Sequence, residues 1–120
     1  MESKTLINTM LFDFYGELLT EKQREYFDLY HNEDFSLSEI SEKVKISRQG
    51  VHDIISRAEK TLFDFENKTG MVQKWLETRA HLKKAELLVR KINELAESDS
   101  SLYKLSIELI NLFDELEQKR

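Results

Sequence analysis

Two helix-start signals follow each other closely between Ser36 and Ile55, and their closeness restricts the fold more than any other feature of the chain. Ser36, with Glu39 three residues on, forms a capping box in which each side chain pairs a backbone N–H that otherwise lacks a partner. Ser47 offers a second N-cap. Apolar residues at Leu37, Ile40, Val44, Ile46, Val51 and Ile54 let a first helix and a second one crossing it bury a shared wedge, with the small Ser41 where the two approach. The pattern predicts a helix-turn-helix, whose second helix offers its N-terminal residues to a DNA major groove. Its turn lacks the usual glycine, so Lys45 is expected to adopt the left-handed conformation at a cost of roughly 1 kcal/mol. The plainer alternative is two ordinary helices of an all-α core.

Composition agrees with long helices. There is no proline and there are only three glycines, so sheets joined by tight turns are not expected. The absence of cysteine excludes disulfides, thiolate catalysis and cysteine zinc sites. No apolar run approaches the ~18–20 residues of a bilayer span. The opening residues lack the basic and apolar regions of a signal peptide, and a cytoplasmic protein is expected. The net charge of −5 argues against wholesale nucleic-acid binding, but its distribution is uneven. Residues 1–34 sum to −5, residues 35–73 to 0, residues 74–93 to +4 and residues 94–120 to −4. The one basic zone therefore lies outside the helix-turn-helix.

In chain order, Thr5 to Tyr15 reads as an amphipathic helix, with Gly16 just past its end. Thr20 and Gln23 supply another capping box, opening a helix whose aromatic face carries Tyr26, Phe27 and Tyr30. The second motif helix continues to about Asn67, and Gly70 separates it from a C-terminal pair. Trp75, Thr78, Leu82, Ala85, Val89, Ile92 and Ala96 follow a heptad spacing, with Leu88 and Leu95 flanking; Leu102, Leu105, Leu109, Leu112 and Leu116 repeat it beyond a break at Ser98–Ser101, with Ile107, Ile110 and Phe113 widening it. These two helices are expected to form an antiparallel hairpin. The expected architecture is all-α, with a sigma-like helix-turn-helix domain over residues 1–69 and a C-terminal antiparallel helical hairpin over 70–120. The hairpin's surplus apolar surface needs cover from the N-terminal helices or from a second copy, and a homodimer is expected.

Catalysis is not signalled. His31, His52 and His81 are scattered, no Gly-rich phosphate loop exists, and no nucleophile stands beside a base. No enzyme, cofactor or metal site is expected. Two surfaces compete for nucleic acid. On the recognition helix the candidates are Ser47, Arg48, Gln49, His52 and Ser56, since arginine bonds guanine and glutamine adenine bidentately. Asp53 and nearby acids would repel phosphate there, and Gly50 brings no side chain. The rival is a basic stripe, Lys83, Lys84, Arg90 and Lys91, which recurs at a seven-residue interval on one side of the long helix, with Leu87 between. It suits the backbone of RNA or DNA, although such a face can also pair with acids of the last helix.

Leu19 through Arg57 resembles the fourth region of bacterial primary-type sigma factors, in its Leu-Thr…Gln opening, its Ser-Leu-Ser-Glu-Ile helix and its Ile-Ser-Arg-Gln recognition start. A closer resemblance is to the YlxM family of small helix-turn-helix proteins of Gram-positive bacteria. It rests on Phe14-Tyr15-Gly16, Leu18-Leu19-Thr20, Lys22-Gln23, Leu29-Tyr30, Ser36 to Ile40 and Ser47 to Asp53. This resemblance implies an accessory role in the signal recognition particle pathway, with contacts to the particle's RNA and to its GTPase. The sigma-like motif implies groove contacts for Arg48 and Gln49, whereas Gly50, His52 and Asp53 replace the long basic or polar side chains usual there. A DNA-binding transcriptional regulator using Arg48, Gln49 and His52, and a protein-interaction module without nucleic acid, stand as alternatives.

Overall fold

In a computed structural model, which describes residues 2–118 and side chains from residue 6 to 118, every regular element is helical. Helix α1 spans Glu2–Tyr15, α2 Glu21–His31, α3 Leu37–Val44, α4 Arg48–Thr69, α5 Met71–Leu95 and α6 Ser101–Gln118, with a short 3-10 turn at Gly16–Leu18. Contacts group the chain into two units, Met1–Val72 and Gln73–Arg120.

Local chemistry sets the helix boundaries of the first unit. Both expected capping boxes form: Thr20 Oγ1 accepts from the Gln23 N–H at 3.2 Å, and Ser36 Oγ from the Glu39 N–H at 3.0 Å, with each partner side chain accepting from the cap's own N–H. That bond to the Ser36 N–H holds the Glu39 carboxyl below its usual 4.5. Lys45 takes the left-handed conformation at φ 62°, and Ser41 Oγ donates to the Ile46 carbonyl at 2.5 Å, so the tight turn is tied by a side chain where glycine is absent. Gly70, at φ 62°, ends α4. Gly16 lies just past the end of α1, as expected, but not as a left-handed cap. Its φ is not positive, and a Cβ there would stand 3.2 Å from the Phe12 ring, which stacks on Phe27.

Two apolar clusters meet on α4. Tyr26, Ile40, Val51 and Ile55 form the helix-turn-helix wedge, with Leu37, Val44 and Ile54 packed against it; Ile46 stays at its edge. Leu11, Tyr15, Leu19, Phe27, Ala58, Leu62 and Val72 form the second cluster. Helix α1 thus covers the far half of α4, which explains why the recognition helix runs on to Thr69.

A polar clasp closes the second cluster. The Tyr15 hydroxyl donates to Glu66 Oε1 at 2.6 Å and also contacts Thr69 Oγ1, while the Val72 N–H donates to the same Glu66 oxygen at 3.0 Å. Burial, and then the bond to Glu66, push the Tyr15 phenol above its usual 10.0.

In the second unit the hairpin forms, but on a different seam. The expected positions Trp75, Val89 and Ala96 are half-buried, and Leu82 is 38% exposed; Thr78 and Ile92 are exposed and Ala85 only partly covered. Arg79, Glu86 and Asn93, one residue on, take the covered places instead. Asn93 Nδ2 donates across the hairpin to Ser106 Oγ at 3.0 Å, Glu86, 7% exposed, accepts within α5 from Arg90 Nε at 3.0 Å, and Arg79 lies over the Trp75 ring. On α6 the covered residues are Tyr103, Ser106, Ile110 and Phe113, whereas all five leucines of the expected stripe are 44–57% exposed.

Replacing Glu66 with alanine leaves a buried phenol and an N–H without their acceptor. A loss of about 1–3 kcal/mol is expected, read as a lower urea midpoint. A folded-state pKa raised above 10.0 means this contribution is full below pH 10 and falls as pH rises further. Tyr15→Phe should flatten that alkaline loss in thermal melts.

Candidate nucleic-acid interface

The recognition helix begins at Ser47, whose Oγ accepts from the Gly50 N–H at 3.0 Å. A Cβ on Gly50 would stand 3.1 Å from that hydroxyl, so glycine keeps the cap uncrowded. Ser47, Arg48, Gln49, His52 and Ser56 all lie exposed along the first turns of α4, and Arg48, Gln49 and His52 border a shallow depression with Leu37. The backbone therefore presents these side chains together, as the motif requires.

Their chemistry is partly engaged already. Gln49 Nε2 donates to Asp53 Oδ1 at 2.9 Å, and His52 Nδ1 lies 3.6 Å from the same oxygen. Asp53 thus holds Gln49, stands beside His52, and adds a negative charge among the groove-facing groups. Among the described residues no ion pair involves Arg48.

All four residues of the basic stripe on α5, Lys83, Lys84, Arg90 and Lys91, are exposed. Arg90 is committed, to Glu86 at 3.0 Å and to Asp114 of α6 at 3.7 Å. Among the described residues no ion pair takes Lys83, Lys84 or Lys91. Leu87, 54% exposed, lies among them. Pairing with the last helix therefore claims one member of the stripe and leaves three cations facing solvent.

Sequence reasoning passed over a cleft of about 440 Å³ beside the recognition helix, lined in part by Asn8, His31, His52, Ser56 and Glu59. His31 Nε2 and Glu59 Oε2 meet there at 2.7 Å, and Asn8 is buried with its Nδ2 unpaired. The three partners come from three helices, so no local spacing announces them. No group of three or more His, Asp or Glu among the described residues is placed to hold a metal, and no helix among them is long and apolar enough to cross a membrane.

Comparison with known proteins decides the family. Residues 2–99 match the model of UPF0122, described as "Putative helix-turn-helix protein, YlxM / p13 like". The chain belongs to this family. A UPF0122 protein of Thermoanaerobacter pseudethanolicus is 44% identical over 116 residues, covering 97% of this chain and 98% of the relative. One from Latilactobacillus sakei is 42% identical over 105 residues, covering 88% and 90%. Another, from Caldanaerobacter subterraneus, is 51% identical over 84 residues, covering 70% and 72%. The family is described by its helix-turn-helix and not by an enzymatic activity, which is consistent with nucleic-acid binding.

If Asp53 restrains the groove face of this YlxM-like helix, Asp53→Asn should tighten binding to random duplex DNA at low salt by about threefold to tenfold. Fluorescence anisotropy checks this. Unchanged affinity would mean that duplex does not approach this helix.

Proposed function

We propose that this protein is a cytoplasmic, non-catalytic accessory of the signal recognition particle pathway, a homodimer that contacts the particle's RNA, its GTPase or both. The observation that carries the RNA contact is the stripe on α5. Three exposed cations, with Arg90 and the apolar Leu87 among them, lie within a segment of net charge +4 in an otherwise acidic chain. Charge tracks a phosphate backbone without reading bases, and structured RNA is recognised largely by shape and backbone. By contrast, residues 35–73, which hold the recognition helix, are neutral overall, and Asp53 stands among its polar groups. Homodimerisation is supported by the bare leucines of α6. The resemblance to YlxM proteins supplies the choice of pathway.

A second reading keeps one specific observation in its favour. The helix-turn-helix is fully formed and Arg48 stands exposed at its groove end, which suits a DNA-binding regulator using Arg48, Gln49 and His52. A protein-interaction module would need neither surface.

Salt titrations of binding to particle RNA and to random duplex separate these readings. Alanine at Lys83, Lys84, Arg90 and Lys91 should abolish most RNA binding and make the log–log salt slope shallower by about 2–3. Alanine at Arg48, Gln49 and His52 should leave RNA binding unchanged. Loss only in the groove variant, and only on duplex, would make the protein a DNA regulator. Failure of the wild type to bind either polymer at moderate salt would contradict nucleic-acid binding altogether.

A further inference from the structure

The hairpin leaves one side bare. Leu102, Leu105, Leu109, Leu112 and Leu116 of α6 are each 44–57% exposed, and on α5 Leu82, Leu88 and Ile92 are 38–54% exposed. Helical spacing puts these on one flank of the hairpin. Measured from the covered positions 86 and 93, the α5 residues 85 and 92 lie to one side of the seam, and the α6 leucines lie to the same side of 106, 110 and 113 because the helices run antiparallel. Together they leave on the order of 700 Å² bare per chain, so two such faces would bury roughly 1,400 Å², the size of a standard specific interface.

The order of the residues suits a second copy of the same chain. Reversing α6 about Leu109 brings 102 opposite 116 and sets 105 and 112 one residue short of direct opposition. On α5, reversal about Val89 brings Leu82 opposite Ala96 and Ala85 within one residue of Ile92. The two centres lie at one level. Asn93 is bonded to Ser106, so with equal rise Leu109 stands beside residue 90, one residue from Val89. The flank of the leucine stripe away from α5 carries Lys104, Glu108 and Glu115, all exposed. The same reversal sets Lys104 within one residue of Glu115 and Glu108 within one residue of Asn111, with no like charges opposed.

We propose that two copies pair hairpin to hairpin about a two-fold axis perpendicular to the helices, with α6 antiparallel to its copy across Leu109 and α5 antiparallel to its copy across Val89. This deepens, and rests on, the homodimer proposed above. The pairing fills the apolar flank that the polar seam leaves open. It leaves Lys83, Lys84, Arg90 and Lys91 outside, since they lie on the other side of α5 from Ala85 and Ile92. The dimer then carries two basic stripes facing away from each other, a bivalent surface for two segments of one folded RNA.

Because the chain has no cysteine, single-cysteine variants treated with a short bis-maleimide report the register directly. Leu109→Cys should cross-link to itself in high yield. Leu102→Cys and Leu116→Cys should each cross-link weakly alone, their copies lying about 20 Å apart, and strongly when the two variants are mixed. Light scattering should give twice the chain mass for wild type, and the mass of one chain for Leu105→Glu/Leu112→Glu with helical circular dichroism retained. A monomeric wild type would overturn the homodimer itself. A dimer in which Leu102→Cys links to itself, or in which Leu109→Cys does not, would overturn this pairing and leave the homodimer standing.

Discussion

The burial of a single stripe on α4, Val51, Ile55, Ala58 and Leu62, underlies the first unit. The upper half of the stripe closes the wedge with Tyr26 and Ile40, and the lower half closes the cluster with Leu11, Phe27 and Val72. Three of these four residues are 0% exposed, and at ~25 cal/mol per Å² each large aliphatic side chain contributes about 1.5–3 kcal/mol. One helix therefore acts as the beam on which α1, α2 and α3 are hung. Its rigidity fixes the direction in which Arg48 and its neighbours point.

The hairpin is built differently. Asn93 bonds Ser106 across it, beside the covered Val89, Tyr103, Ile110 and Phe113, while most of its large aliphatic residues stand outside. A polar bond across a seam specifies register more than it adds stability. A leucine face adds stability only once something covers it. Separating the two roles lets the hairpin form with a fixed register while its apolar side stays exposed.

Local signals were legible in the sequence. Both capping boxes, the Ser47 cap, the left-handed Lys45 and the break at Gly70 follow from side chains within three or four residues of the backbone groups they serve. The heptad at Trp75, Val89 and Ala96 was legible too. At Thr78 and Ile92 it was displaced by one residue, because a rule that seeks apolar spacing cannot anticipate that Asn93 finds Ser106 across the hairpin. Gly16 shows the same limit: its neighbour Phe12 matters more than its place past a helix end. Of the candidate interface, the exposure of Arg48 and of the α5 cations follows from helical spacing. The hold of Asp53 on Gln49, and the cleft lined by His31 and Glu59, depend on rotamers and on helices distant in sequence.

The central assignment is that charge on α5, rather than the groove end of α4, meets the phosphate backbone. Amide chemical shifts followed while the particle RNA is titrated into the labelled protein test it most directly. Perturbations should concentrate on Lys83, Lys84, Leu87, Arg90 and Lys91 and fade as salt is raised. Perturbations confined to residues 47–56, with α5 silent, would contradict it.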